Sequence, residues 1–113
     1  MNLPNRKQAL VPERKITHYL LNAAHPTGGS KAAFFLRFGF RLDDWERLAA
    51  ALLEHASENE VSATDHSIYG TRHVVDGELV APDGTRLNVR SVWFIGVSDK
   101  APRFVTAYPL SKS

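Results

Sequence analysis

The sequence predicts an α+β fold, with three N-terminal helices packed on a C-terminal antiparallel sheet of three to four strands. Two observations predict it. Up to about residue 59, apolar residues recur at helical spacing, and from Ile68 onwards they alternate with a period of two. The 113 residues are 43% hydrophobic and 23% charged, which is ordinary for a globular protein. We therefore expect a single domain over residues 1–113, with 1–11 irregular.

The first two helices are predicted from their ends. Pro12 suits the first turn of a helix. The buried stripe of this helix comprises Ile16, Tyr19 and Leu20. After a loop over residues 23–29, Ser30 can cap a second helix, and Gly39 stands where a left-handed C-terminal residue is needed. This second helix is apolar around most of its circumference, so we expect it to be central.

The third helix has the clearest pattern in the chain. Asp43 and Glu46 have the spacing of a capping box. The apolar positions that follow the helical period are Trp45, Leu48, Ala49, Leu52, Leu53 and Ala56. We expect His55 to face water and the helix to end near Asn59.

The strands are predicted from alternation and turn residues. The polar residues 62–67 read as a loop, and a strand follows in which Thr71, His73 and Val75 share one face. Asp76-Gly77 indicates a bulge or a tight turn, and residues 82–84 (Pro-Asp-Gly) a hairpin. Residues 87–97 then form a long central strand.

The last strand is bounded by Pro102 and Pro109. Strict alternation places Phe104, Thr106 and Tyr108 on one face. The opposite face would carry Arg103, Val105 and Ala107. One face should therefore present two hydroxyl groups beside an aromatic ring.

Composition excludes several classes of protein. The chain has no cysteine, so disulfides and thiolate metal sites are excluded. No apolar run approaches the roughly 18 residues of a membrane span, and the first residues lack the apolar run of a secretory signal. We therefore expect a cytoplasmic protein or a module cut from a larger one. His18, His55 and His66 lack metal-ligand spacing, so no metal or other cofactor is predicted. The formal charge of +2 is too small to argue nucleic-acid binding by itself.

Four residues are candidates for chemistry. His25 precedes a glycine pair, and Lys31 lies in the first turn of the next helix, where backbone N–H groups favour a phosphate. The alternative is that this loop is a tight connection and Lys31 a solvated charge. Thr106 and Tyr108 can hydrogen-bond a substrate or stack on a nucleobase, although both are also good strand formers.

His73 is a fifth candidate. A histidine can act as a general acid or base near neutral pH. The alternative is that His73, in the middle of a strand, is a partly buried polar residue with a structural role.

Two stretches of the chain resemble a small bacterial family known only as a domain of unknown function. They run from Tyr19-Leu20-Leu21-Asn22 to Lys31-Ala32 and from Val92-Trp93-Phe94 to Tyr108-Pro109. Members of that family occur alone and as tails of larger proteins, in settings that look like toxin–antitoxin or polymorphic toxin systems. This resemblance implies a cognate antitoxin or immunity protein as a partner.

The terminal Thr106-Ala107-Tyr108-Pro109 looks like the closing motif of EndoU-type ribonucleases. Helices followed by a small antiparallel sheet also resemble the wider barnase–EndoU–colicin–RelE group of metal-independent RNases. In EndoU enzymes two histidines and a lysine do the chemistry, while a Ser or Thr and a Tyr hold the nucleotide. Thr106 and Tyr108 match the last two roles, and His25 and Lys31 suit one histidine role and the lysine role. His73 is the candidate for the second histidine.

This resemblance implies cleavage of RNA through a 2′,3′-cyclic phosphate. His25 and His73 would serve as acid and base, and Lys31, helped by Arg90 or Arg103, would stabilise the charge on phosphorus. The alternative is a non-enzymatic protein-binding module, such as an immunity or antitoxin-like partner, in which these residues are structural. A third hypothesis is an RNA binder without catalysis.

Overall fold

The computed structural model describes residues 1–110. The first helix, α1 (Glu13–Lys15), continues directly into a π-helical turn (Ile16–Leu20). It is followed by α2 (Gly29–Arg37) and α3 (Trp45–Glu58). The strands are β1 (Val61–Ser67), β2 (Gly70–Val80), β3 (Arg86–Gly96) and β4 (Arg103–Pro109). Within residues 1–110, no helix is long and apolar enough to cross a membrane.

The four strands form one antiparallel sheet in the order β1-β2-β3-β4. The predicted α+β class, with helices N-terminal to an antiparallel sheet, is therefore confirmed. One face, which we call the helix face, carries the buried side chains of Val75 and Leu79 on β2 and of Val89 and Trp93 on β3. These side chains belong to the same apolar cluster as Phe35 of α2 and Leu48 and Leu52 of α3. The other face, which we call the open face, carries Arg90, Val92 and Phe94 of β3 and their neighbours on β2 and β4.

A bulge in β4 contradicts the alternation predicted for this strand. Val92 pairs with Thr106, but Trp93 pairs with Phe104, so Val105 is an extra residue. Phe104 therefore lies on the helix face, where it is buried against Trp93 with ring centroids 5.4 Å apart. Thr106 and Tyr108 lie on the open face together with Arg103, which pairs with Phe94. The prediction that Phe104 shares a face with Thr106 and Tyr108 is wrong for this reason.

The prediction that His55 faces water is also wrong, because its side chain is only 2% exposed. Its Nε2 lies 3.1 Å from the Gly77 carbonyl oxygen and 2.9 Å from that of Val89, so this nitrogen carries the hydrogen. Its Nδ1 then accepts from the Ser91 hydroxyl at 3.0 Å, and that hydroxyl accepts from Trp93 Nε1 at 2.8 Å. These five groups satisfy one another inside the core, which offsets the cost of burying them.

Two predictions about the first half of the sheet need correction. Residues 62–67 form most of strand β1 instead of a loop, although their side chains are exposed. Asp76 and Gly77 lie inside the continuous strand β2, in register with Arg90 and Val89, without a bulge or turn. A Cβ at Gly77 would require the Asn59 side chain at the end of α3 to move.

The predicted ends of helices and turns agree better with the structure. Helix α2 ends as expected, with Gly39 at φ 102° and the Phe40 N–H bonded to the Phe35 carbonyl at 3.3 Å. The hairpin at residues 82–84 is confirmed by the Gly84 N–H, which donates to the Ala81 carbonyl at 2.9 Å. The capping box is not formed, because the Asp43 carboxylate pairs with Arg41 at 2.9 Å and a 3₁₀ turn (Leu42–Asp44) precedes α3.

Burial of His55 predicts a pH-dependent stability. Burial lowers the pKa of His55 below 6.5, although the carbonyls of Val89 and Gly77 act in the opposite direction. The unfolded chain therefore binds a proton at a higher pH than the folded protein does. This contribution to stability is fully present above about pH 6.5 and is lost as the pH falls towards the folded pKa, with a slope of at most about 1.4 kcal/mol per pH unit.

Urea unfolding between pH 8 and pH 5.5 checks this expectation, because carboxylates titrate mostly below that window. The free energy of unfolding should fall with pH more steeply in the wild type than in His55→Gln. Some slope should remain in the variant, since burial also lowers the pKa of His73. Equal slopes in the two proteins would show that His55 does not control the pH dependence.

Candidate functional site

Three polar side chains from distant parts of the chain meet at β4. The Tyr19 hydroxyl lies 2.9 Å from Thr106 Oγ1, and Lys31 Nζ donates to the Tyr19 hydroxyl at 2.5 Å. Lys31 Nζ also lies 3.3 Å from Thr106 Oγ1. We call Tyr19, Lys31 and Thr106 the hydroxyl–lysine cluster.

Each member of the cluster is held by the core behind it. The π-helical turn buries Ile16 and Leu20 completely, which leaves the intervening Tyr19 half-buried and turned towards β4. Lys31 lies in the first turn of α2, next to the fully buried Ala32. Thr106 is placed by the bulge, since Ala107 beside it is buried on the helix face.

Tyr108 extends the cluster along the open face. The Lys31 ammonium lies 5.7 Å from the centre of the Tyr108 ring and 5.1 Å from that of Tyr19, within cation–π distance of both. An open pocket of about 420 Å³ lies beside them, lined by Ser30, Lys31, Tyr108 and Pro109. A ligand in this pocket would contact an aromatic ring and an ammonium group together.

The electrostatics of the cluster act on the Tyr19 phenol. Burial alone would raise the pKa of Tyr19, but the hydrogen bonds with Lys31 and Thr106 and the charges of Lys31 and Lys15 outweigh it. The pKa of Tyr19 therefore lies below the usual 10.0. Within residues 1–110, no carboxylate lies within ion-pair distance of Lys31, so the positive charge of the cluster is not neutralised by an acid.

His25 contacts the cluster through Tyr19. Its ring packs edge-on against the Tyr19 ring, with centroids 5.0 Å apart. Its Nδ1 accepts the backbone N–H groups of Thr27 at 3.1 Å and Gly28 at 3.0 Å. In the neutral ring, Nε2 therefore carries the hydrogen. His25 thus shapes the loop before α2. Its Nε2–H has no hydrogen-bond acceptor among residues 1–110.

The two predicted arginines lie on the open face but differ in their surroundings. Arg90 makes a bidentate pair with Asp76, at 2.7 and 2.9 Å. Asp76 and the Tyr108 hydroxyl raise the pKa of the Arg90 guanidinium. Arg103 is exposed at the other end of β4. The charge of Arg90 is therefore paired with Asp76. The exposed Arg103 extends the positive charge along β4.

The structure does not bring His73 to this cluster. His73 pairs in register with Trp93, on the helix face, and its side chain is buried. Its Nδ1 lies 3.1 Å from Thr64 Oγ1. The sheet therefore separates His73 from Thr106 and Tyr108. Within the part of the chain that the structure describes, no group of three or more His, Asp or Glu side chains is arranged to hold a metal ion.

Tyr19 was not predicted as a site residue. Its spacing with Ile16 and Leu20 assigned it to the buried stripe of a regular helix, and the ring is indeed partly buried. The feature that could have indicated a polar role for Tyr19 is its hydroxyl, because a buried tyrosine hydroxyl needs a hydrogen-bond partner. The distant partners, Lys31 and Thr106, could not be identified from local spacing.

Comparison with known proteins identifies relatives of the chain. The family model described as "Domain of unknown function (DUF6883)" matches residues 2–111. None of the curated proteins matches significantly. Among solved structures, the chain is similar to one from a contact-dependent growth inhibition toxin–immunity protein complex of Klebsiella pneumoniae 342, with a TM-score of 0.73 and 18% identity. The match covers 95% of this chain and 97% of that one, so the two share a fold.

Removal of the Lys31 charge should raise the pKa of Tyr19. In Lys31→Met the hydrogen bond and the nearest positive charge are lost, while the burial that disfavours the phenolate remains. The measurement is a titration of the tyrosine ring carbons by NMR. Lys7→Met, at an exposed site, is the matched control and should leave the titration unchanged. An unchanged Tyr19 titration in Lys31→Met would contradict the geometry of the cluster.

Proposed function

The chain belongs to the DUF6883 family, and we propose that it is a metal-independent endoribonuclease that acts as a toxin module. It would cleave RNA by attack of a ribose 2′-OH on the adjacent phosphate, which leaves a 2′,3′-cyclic phosphate and a free 5′-OH. The observation that carries the proposal is the convergence of Lys31, Thr106 and Tyr108, with His25 nearby, on one open face. The toxin–immunity complex named for the similar structure supports the toxin setting.

The side chains of this site suit a ligand in which a phosphate group lies next to a nucleobase. The Lys31 ammonium would stabilise the charge that develops on the phosphoryl oxygens in the transition state. Thr106, hydrogen-bonded to the Tyr19 hydroxyl, would orient the phosphate beside it. The Tyr108 ring would stack on a nucleobase, which requires no particular sequence. The Nε2–H of His25 would donate to the same phosphate. Arg103, exposed on the same strand, would contact the RNA backbone, while Arg90 would hold the Tyr108 hydroxyl.

We leave His73 out of this catalytic set. A pair of histidines acting as acid and base must reach the same phosphate. His73 and Thr106 lie on opposite faces of the sheet, so the two histidines cannot do so in this arrangement.

A second candidate function is a non-enzymatic protein-binding module, such as an immunity or antitoxin-like partner of another small protein. The observation that favours it is an apolar tip at the far end of the sheet. There Ile68, Tyr69 and Val97 are 83%, 74% and 78% exposed, and the Val97 N–H bonds to the Tyr69 carbonyl at 3.0 Å. Exposed apolar groups at one place are typical of protein-binding surfaces.

The first test is incubation of the purified protein with total RNA and tRNA in EDTA. The proposal predicts cleavage that survives chelation and yields cyclic-phosphate ends. Lys31→Met should reduce the rate about 10²–10³-fold, the loss typical of removing one group that stabilises the transition-state charge. Lys7→Met is the control and should cleave at the wild-type rate. No cleavage by folded wild-type protein would favour the protein-binding module instead.

A second test separates two roles of His25. Asn carries an acceptor oxygen close to the position of Nδ1, so His25→Asn keeps the acceptor for the Thr27 and Gly28 N–H groups and removes Nε2–H. We expect His25→Asn to retain the wild-type thermal midpoint and to lose most RNA cleavage. Wild-type cleavage by His25→Asn would show that His25 only shapes the loop.

A further inference from the structure

We propose that Tyr19 is the general acid of this reaction, giving its hydroxyl proton to the 5′ oxygen as that oxygen leaves phosphorus. The inference rests on the proposed function and adds a catalytic residue to it. It follows from the position of the Tyr19 hydroxyl, which lies between Lys31 Nζ and Thr106 Oγ1 at the edge of the open face.

RNA cleavage of this type needs a proton for its leaving group. The 5′ oxygen departs as an alkoxide, a strong base, unless an acid protonates it as the bond breaks. His25 is poorly suited, because its Nδ1 accepts two backbone N–H groups and the loss of its Nε2 hydrogen would leave an imidazolate anion. His73 lies on the other face of the sheet.

The contacts of Tyr19 are those of an acid whose conjugate base is stabilised. Lys31 Nζ donates to the phenolic oxygen, so the ammonium adjoins the charge that appears when the proton leaves. The Thr106 hydroxyl is able to donate to the same oxygen. With two donors on its oxygen, the phenol can direct its own hydrogen towards a substrate. Packing of the His25 ring against the Tyr19 ring fixes its orientation.

In this step one bond to phosphorus forms and one breaks. The 2′ oxygen forms a bond to phosphorus and releases its proton to a water molecule. The bond from phosphorus to the 5′ oxygen breaks, and that oxygen takes the proton of the Tyr19 hydroxyl. The phenolate, held by Lys31, regains a proton from solvent after the products leave. Nothing is oxidised or reduced, and no cofactor takes part.

A substrate with a different leaving group tests the assignment of Tyr19 as the general acid. In one RNA substrate the bridging 5′ oxygen is replaced by sulfur, and a thiolate leaves without protonation. We expect Tyr19→Phe to cleave the ordinary RNA about 10²–10⁴-fold more slowly than the wild type, the contribution typical of a general acid. It should cleave the 5′-thio RNA at close to the wild-type rate. Lys31→Met lacks the ammonium that stabilises the charge on phosphorus. It should therefore cleave both substrates slowly.

Tyr69→Phe is the matched control, because Tyr69 is an exposed tyrosine in the turn between β1 and β2. It should cleave both RNAs at the wild-type rate, and an unchanged circular dichroism spectrum should show that Tyr19→Phe is folded. If Tyr19→Phe is equally slow on both RNAs, or cleaves ordinary RNA normally, the assignment is overturned while the nuclease remains. If the wild type cleaves neither RNA, the proposed function is overturned, and the role of Tyr19 with it.

Discussion

The bulge at Val105 is the constraint on which both the core and the candidate site depend. A regular strand cannot bury Phe104 and Ala107 on one face and present Thr106 and Tyr108 on the other. The extra residue makes this arrangement possible, since it changes the phase of the alternation within β4. Phe104 then packs on Trp93, and that contact fixes the position of Thr106 from behind.

The charge of Lys31 distinguishes the candidate site from the rest of the open face. Arg72, Arg86 and Arg90 each pair with an acid on a neighbouring strand. Lys31 instead contacts hydroxyl groups and aromatic rings, which satisfy its hydrogen bonds without neutralising it. A half-buried ammonium in such surroundings favours an anionic ligand, because a phosphate would supply the missing opposite charge. The same ammonium makes the Tyr19 phenol a better acid.

Much of the fold could be predicted from local pattern, and the errors have identifiable causes. The third helix, the hairpin at residues 82–84 and the shared face of Thr106 and Tyr108 follow from periodicity and turn chemistry. The face of Phe104 could not be predicted, because alternation assumes a strand without a bulge. His55 was expected to face water because it is polar, and its burial depends on partners from β2 and β3 that lie far along the chain. Tyr19 and His73 depend on long-range packing, which local spacing does not contain.

The most direct test of the proposed nuclease site is to locate the surface that binds RNA. A short oligonucleotide with 2′-deoxyribose throughout cannot be cleaved by 2′-OH attack, and its binding can be followed by NMR of the lysine ammonium, threonine methyl and tyrosine ring signals. The proposed site predicts that the largest shifts occur at Lys31, Thr106, Tyr19 and Tyr108, with Tyr69 and Thr64 unaffected. Shifts confined to the apolar tip or the helix face, or no shifts at all, would contradict it.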